Sequence, residues 1–381
     1  MEKVIESNNR KKVLIVLDSL RRGGIEIAAS GFQSLLDREK YDCTFLFLRN
    51  AEDTDKALHD EMLKNGGKIV VKPDGVSGYL EDYRFFKQFL SAGGYDIVHS
   101  HLLFYNGLVM RAAYKAGVKK RIAHSHATEA NCHQNAIRKT VAAIYQQLMR
   151  CWLGRYATDL IGCSQKAGEY MCGKGLFNKR GTVLRNFVAL ERYEFSPERY
   201  AEQREKLGIS ADELVVGHIG SIYWIKNQTF LVRVFAKLSE RVPNSRLVLV
   251  GEERDGGEVR RLAQELNVAD RVMLLGVRDD IPDLLCAMDV FVFPSRFEAL
   301  PIAPIEAQAA SLACVASEGV PTEIKATEPF AFLSLEASEG LWADKIAELS
   351  RLDRQAIDLS QLRERYSAQS VVKQLEKIYE G

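Results

Sequence analysis

The sequence predicts an α/β protein built from two doubly wound, Rossmann-like domains that face one another across a cleft. Three observations carry that expectation. The chain has 381 residues, more than one ordinary core accommodates and suited to two domains of roughly 170 to 200 residues. Short runs rich in β-branched residues alternate with helical patterns, the signature of βαβ units around parallel sheets. That alternation stops once, at a charged stretch, and then restarts.

The first series of strands is KVLIVL (12–17), YDCTFLFL (41–48), KIVVK (68–72), DIVHSH (96–101), KRIAHSH (120–126), DLIGCS (159–164) and TVLRN (182–186). ALERYEFSPERYAEQREKLGISADE (189–213) lacks apolar periodicity and reads as a linker. The second series is LVVGHIG (214–220), RLVLVGE (246–252), VMLLG (272–276), DVFVFPS (289–295), LACVAS (312–317) and PFAFLSL (329–335). The tail from about Leu341 is amphipathic and helical. Residues 1–188 and 214–360 are therefore expected as domains, with 361–381 a helix placed to cross back onto the first.

Composition narrows the function. Apolar residues make up 46% and charged residues 27%, as in a soluble globular protein. A formal net charge of +1 argues against a nucleic-acid binder. The seven cysteines are scattered and show no CxxC spacing, so they read as small core residues in a reducing compartment. The polar opening MEKVIESNNRKK and the five-residue run VLIVL are too short on apolar length for a signal peptide or a membrane span, which points to a cytoplasmic chain.

Ligands of open parallel sheets sit outside the carboxyl ends of the strands, so candidate chemistry should follow strands. SRFEALPIAPIEAQAA (295–310) places Glu298 just after the strand DVFVFPS and Glu306 eight positions later, with Pro301 expected near the first turn of the intervening helix. On one continuous helix the two carboxylates would stand about 12 Å apart and be rotated by roughly 80°. With Glu298 in the loop they flank a helix N-terminus instead. That arrangement offers amides to a phosphate and carboxylates to hydroxyls, the outline of a nucleotide sugar. The bland alternative is a helix whose early glutamates favour its dipole.

This block resembles the E-x7-E motif of the family 4 glycosyltransferases, retaining enzymes of the GT-B fold. RRGGIE (21–26), the two HSH segments, GHIGSIYWIKN (217–227) and LVLVGEE (247–253) extend the resemblance over nearly the whole chain. RIAHSH and CSQKAGEYMCG are most similar to exopolysaccharide and capsule enzymes. The resemblance implies that residues 1–188 form the acceptor-side domain and 214–360 the nucleotide-sugar domain. It implies that Glu298 holds the donor sugar's hydroxyls, Glu306 the ribose hydroxyls, and amides near Ala299 and Leu300 the diphosphate. Lys226 would offset charge on the leaving diphosphate. Gly23 and Gly24 would sit beside the donor phosphates and sugar, and His126 near the sugar's reacting side. His101 is the next candidate for the cleft wall, and Arg21 and Arg22 for an acceptor or donor phosphate. The donor is expected to be a nucleoside diphosphate sugar, UDP-linked by preference, and the acceptor a lipid-linked glycan hydroxyl. The resemblance implies that no metal or other cofactor is required.

The sequence departs from the family in three places. Ser221 stands where an arginine commonly accompanies the lysine, and donates one neutral hydrogen bond where a guanidinium would give a charged fork. Arg296, Arg278 and Arg185 are possible substitutes. Phe187 and Ala189 replace a glycine and an aspartate at the linker. These departures motivate an alternative, a noncatalytic GT-B partner that binds a nucleotide sugar; an epimerase on the same architecture is a third reading.

Two further features have competing readings. Period 2 puts His99 with His101, and His124 with His126, on one face of adjacent strands. A histidine metal site for hydrolysis is the sharp alternative there, but no HExxH-type carboxylate motif accompanies it. His99 and His124 otherwise read as strand-end histidines bonded to backbone. The segment 134–157 carries Arg138, Lys139, Arg150 and Arg155 beside apolar residues at helical spacing. It could lie on anionic lipid at the inner membrane, or simply pack on its own sheet.

Overall fold

The computed structural model describes residues 10–21, 23–49, 55–76, 78–128, 136–298 and 300–381, with the side chains of 136–139 excepted. Contacts divide the chain into a first unit, Met1–Phe187 with Ala368–Gly381, and a second, Val188–Ser367.

The first unit contains β1 (Lys11–Ser19), β2 (Tyr41–Arg49), β3 (Lys68–Val71), β4 (Ile97–Ser100), β5 (Lys120–Ser125), β6 (Asp159–Gly162) and β7 (Gly181–Val183). They form one parallel sheet in the order β3-β2-β1-β4-β5-β6-β7. The order reverses beside β1, which places the topological switch between β1 and β4. Buried Val13, Ile15 and Leu17 pack on one face and Leu14 and Val16 on the other, as expected for a sheet covered by helices on both sides.

The second unit repeats the plan with β8 (Leu214–Ile219), β9 (Ser245–Val250), β10 (Val272–Leu274), β11 (Val290–Phe293), β12 (Ala313–Ser317) and β13 (Phe330–Leu333). Their order is β10-β9-β8-β11-β12-β13, again parallel, with the switch between β8 and β11. Trp342, fully buried, anchors the helix Glu339–Leu349 against the helix Gln228–Arg241.

Two expectations need correction. Residues 189–213, expected as an interdomain linker, belong to the second unit: a turn at Leu190–Tyr193 and the helix Pro197–Leu207 fold into it. The charges that hide their periodicity are structural. Arg204, 2% exposed, donates to the carbonyls of Ala287 (3.1 Å) and Glu213 (2.9 Å) and pairs with Asp289 at 2.5 Å. Arg199 pairs with Asp283 at 2.5 Å on the helix Ile281–Ala287.

The tail is also two helices, not one. Ser360–Tyr366 stays with the second unit, and Ala368–Glu380 packs on the first. Val371, Leu375 and Tyr379, spaced by four, bury one stripe of that last helix in the first core. Gln374 also donates to the Val183 carbonyl at 2.9 Å.

Candidate active site

In the second unit, the loops after β8 and β11 are stitched together. His218 ends β8 with its ring buried; Nδ1 donates to the Val292 carbonyl at 2.9 Å, so Nε2 accepts from the Gln228 amide at 3.1 Å. Burial pushes this imidazole down to about 4, against the help of the Val292 bond, so it is neutral at pH 7. The same amide donates to the Ser221 carbonyl at 3.0 Å, fixing the turn that precedes Lys226. Asn227 takes a left-handed conformation, φ 59°, and bonds the Pro294 carbonyl at 3.3 Å. Arg296 closes the stitch by donating to Trp224 O and Asn227 Oδ1, both at 3.1 Å.

This frame brings together two residues 72 positions apart. Lys226 Nζ lies 2.6 Å from Glu298 Oε1, with both side chains mostly buried, and 4.8 Å from the centre of the Phe293 ring. A charge-assisted bond of that kind fixes both groups and leaves ammonium protons and carboxylate lone pairs for a ligand. Gly319 makes the turn possible, because a Cβ there would meet the Arg296 carbonyl oxygen at 2.1 Å.

Glu298 sits in the loop, but the following helix spans Ala303–Ala309 and so starts later than a first turn at Pro301 would require. Two prolines compete for the start, and the second, Pro304, must occupy the first turn because it has no N–H. The first helical bonds therefore run from Ile305 and Glu306 to the Ile302 carbonyl. Leu300 is buried in the preceding loop, whereas Ala299 lies outside the described residues. Glu306, in the first turn, accepts a 2.5 Å bond from the Tyr193 hydroxyl.

Neither suggested arginine of this unit stands in for the family's second cation. Arg296 is committed to the loop stitch, and Arg278 makes a two-pronged pair with Asp280. The frame residues His218, Gln228 and Asn227 were not singled out from the sequence; their signal was the string GHIGSIYWIKNQ, in which these three side chains tie the loop to its neighbours.

In the first unit, all four histidines of the HSH copies meet. His99 bonds Tyr379 Oη at 2.9 Å and His124 Nδ1 at 3.1 Å, and His101 Nδ1 bonds His126 Nε2 at 2.9 Å. The bland reading of His99 and His124 is thus corrected: their partners are side chains. Ring nitrogens of His99, His101 and His124 lie within 4.8 Å of one another. His99 and His124 are only 8° from parallel, while His101 is turned 29° from His99 and 37° from His124. Both nitrogens of His99 and one each of His101 and His124 are engaged in these bonds, a hydrogen-bonded arrangement and not a converging ligand set. Burial drives every ring down, His99 to about 3 and His126 to about 4, so the cluster is uncharged at neutral pH.

His101 also lines a cavity of about 510 Å³ at the ends of β1 to β4. Its floor is Ile25, Leu48, Leu102 and Leu103, and its rim carries Arg49 paired with Asp18 and Lys72 paired with Asp82 at 2.6 Å. Gly23 caps the helix Gly24–Leu35 without a side-chain bond, and a Cβ on Gly24 would meet nothing within 4 Å, so the backbone there is open to close approach. Arg21 is exposed, and Arg22 lies outside the described residues. In the helix Ala136–Tyr156, Met149 and Leu153 face the core, while Val141, Ile144 and Leu148 are 63%, 67% and 45% exposed. Arg150 turns inward to the Tyr170 carbonyl. No helix among the described residues is long and apolar enough to cross a membrane.

With this geometry in place, known proteins are informative. The model of "Glycosyltransferase Family 4" matches residues 22–192 and that of "Glycosyl transferases group 1" matches residues 200–370. The chain is 31% identical to the putative glycosyltransferase EpsF of Bacillus subtilis, over 91% of this chain and 90% of that one. It is 30% identical to an Escherichia coli UDP-Gal:alpha-D-GlcNAc-diphosphoundecaprenol alpha-1,3-galactosyltransferase, over 58% of each. Its fold matches that of Anabaena HepE, solved with UDP, at a TM-score of 0.80 and 19% identity, over 96% of this chain and 98% of that one.

Proposed function

The chain belongs to the family 4 glycosyltransferases and has their GT-B fold, and from that premise we propose that it moves a sugar from a nucleoside diphosphate sugar to an acceptor hydroxyl with retention at the anomeric carbon. The observation that carries this reading is the Lys226–Glu298 pair at 2.6 Å, which places a cation and a carboxylate side by side at the sheet's switch point. Lys226 offsets the charge that grows on the departing diphosphate, and Glu298 accepts from the sugar's hydroxyls. Glu306 takes the ribose hydroxyls, Ser221 and the amides by Ala299 and Leu300 the diphosphate, and Gly23 and Gly24 its far side. His126, neutral and bonded to His101, takes the role at the sugar's reacting side that the family resemblance implies for it. The protein contributes positioning and charge stabilisation, with diphosphate oxygen helping to take the acceptor proton. A UDP-sugar is the favoured donor, by likeness to the UDP-Gal enzyme.

The acceptor side is assigned to the 510 Å³ cavity, whose apolar floor suits a lipid-linked acceptor and whose rim offers the paired groups Arg49–Asp18 and Lys72–Asp82 to glycan hydroxyls. The exposed Val141, Ile144 and Leu148 stripe supports peripheral contact with the membrane that holds such an acceptor. Assembly of exopolysaccharide or capsule is the process this chemistry serves. The test is nucleotide release from UDP- and GDP-sugars, with and without membrane extract, on wild type, Lys226→Ala and Glu298→Ala. Release of one nucleotide that needs both residues supports the transferase.

One observation favours a second reading. Ser221 gives no second cation, and Arg278 and Arg296 are committed elsewhere. A noncatalytic binding partner is the reading that survives if folded protein binds a nucleotide sugar and releases nothing under any acceptor condition.

A further inference from the structure

Glu306 is partly buried on the helix Ala303–Ala309, and among the described residues Tyr193 donates to it at close range. Tyr193, 6% exposed on the Leu190–Tyr193 turn, places its hydroxyl 2.5 Å from Oε1. That residue belongs to the charged stretch 189–213, which reads as a linker in the sequence. We propose that Tyr193 is a positioning residue for nucleotide binding: its hydroxyl occupies one lone pair of Glu306 Oε1 and keeps the carboxylate ionised and oriented, so that the remaining lone pairs accept from the two ribose hydroxyls of a nucleoside diphosphate. This rests on the reading of Glu306 as the ribose-binding carboxylate.

The chemistry is asymmetric in a useful way. Burial and the neighbouring carboxylate push the Tyr193 phenol far above its ordinary range, so it remains a donor at every pH of interest. Burial also raises Glu306 above the usual carboxylate range, and the Tyr193 bond and the Arg192 charge pull it back. The other elements packed on this helix carry Glu191, Asp283, Arg363, Glu364 and Arg365, but the groups that act on Glu306 are Tyr193 and Arg192. β11 carries no titratable residue and β12 only Cys314. Asp283 is paired with Arg199, and Arg365 donates to the Lys325 carbonyl. A carboxylate accepts from ribose only when ionised, so nucleotide affinity falls as pH drops through the raised value for Glu306. Removing the hydroxyl moves that fall to higher pH.

The experiment is calorimetric titration of UDP, GDP and ADP into wild type, Tyr193→Phe, Glu306→Gln and the double variant between pH 5 and 8.5. Tyr193→Phe should weaken the nucleotide about 5- to 10-fold near neutrality, shift the acid limb upward, and add less than about twofold in the Glu306→Gln background. An unshifted limb, or the same weakening with and without the carboxylate, overturns the proposal. Should Tyr193→Phe not fold, wild type grown on 3-fluorotyrosine replaces it: a more acidic phenol donates more strongly, so the limb moves to lower pH, and an unmoved limb overturns the idea. Wild type that binds none of the three nucleotides sinks the ribose reading of Glu306 together with the inference. Binding that ignores Tyr193 sinks the inference alone.

Discussion

Around β4 and β5 the first unit gathers four imidazoles that burial keeps uncharged, whereas in the loops after β8 and β11 the second unit holds a lysine and a glutamate as a close ion pair. Both sit beside the switch point of a parallel sheet. The difference shows how one scaffold yields two chemistries. The imidazoles lie on the strands and just past their ends, stacked on one another, and desolvation removes their charge. Lys226 and Glu298 lie a few residues beyond the strands on stitched loops, where each offsets the other's desolvation. The second unit thus presents a charged pair in its loops, and the first a set of neutral hydrogen-bonding groups.

The largest effect should come from separating the charged pair. Lys226→Ala or Glu298→Ala is expected to lower the turnover of sugar transfer about 100- to 1000-fold, measured by nucleotide release, while thermal melts show the fold intact. A variant within tenfold of wild type would break the contrast drawn here.

Acid comes next. An unfolded histidine takes a proton near pH 6.5, but His99 holds out to about 3 and His126 to about 4. Between those limits the unfolded chain binds more protons than the folded one. Stability of the first unit is therefore fully present above about pH 6.5 and drains as pH falls toward 4, by about 1.4 kcal/mol per pH unit for each such histidine. The described residues of the second unit contain one comparable buried histidine, His218. Hydrogen exchange followed peptide by peptide from pH 7.5 to 5 should show the first unit opening before the second; simultaneous opening would count against the neutral cluster.

A smaller effect concerns the membrane. Changing Val141, Ile144 and Leu148 together to serine should weaken binding to anionic vesicles about tenfold, as apolar area is lost from the interface, and leave the melting temperature nearly unchanged because these side chains are exposed. The smallest is Tyr379→Phe, which removes the hydroxyl at His99 Nδ1 and should cost about 1 kcal/mol in denaturant unfolding.

Much of the fold was legible in the sequence. Each of the thirteen strands among the described residues overlaps one of the apolar runs named from the sequence, with ends shifted by a few residues, and for the central strands the reason is that a strand buried on both faces needs little more than such a run. The stretch 189–213 was not legible, since Arg199 and Arg204 look like solvent charges until Asp283 and Asp289, more than eighty positions away, supply their partners. Candidate positions were legible only as a set of motifs. The sequence separates Lys226 from Glu298 and Tyr193 from Glu306, and no local spacing reveals that the fold bonds each pair. The histidines were legible as a shared face by strand period, but their stacking depends on the register of β4 on β5, which sets His99 opposite Ile122.

The most direct test of the account is calorimetric binding of UDP to Lys226→Ala and His126→Ala beside wild type. The account predicts that Lys226→Ala weakens UDP about 10-fold or more, as loss of a charged hydrogen bond does, while His126→Ala binds UDP as wild type does and loses turnover. UDP affinity that falls with His126 and not with Lys226 would contradict it.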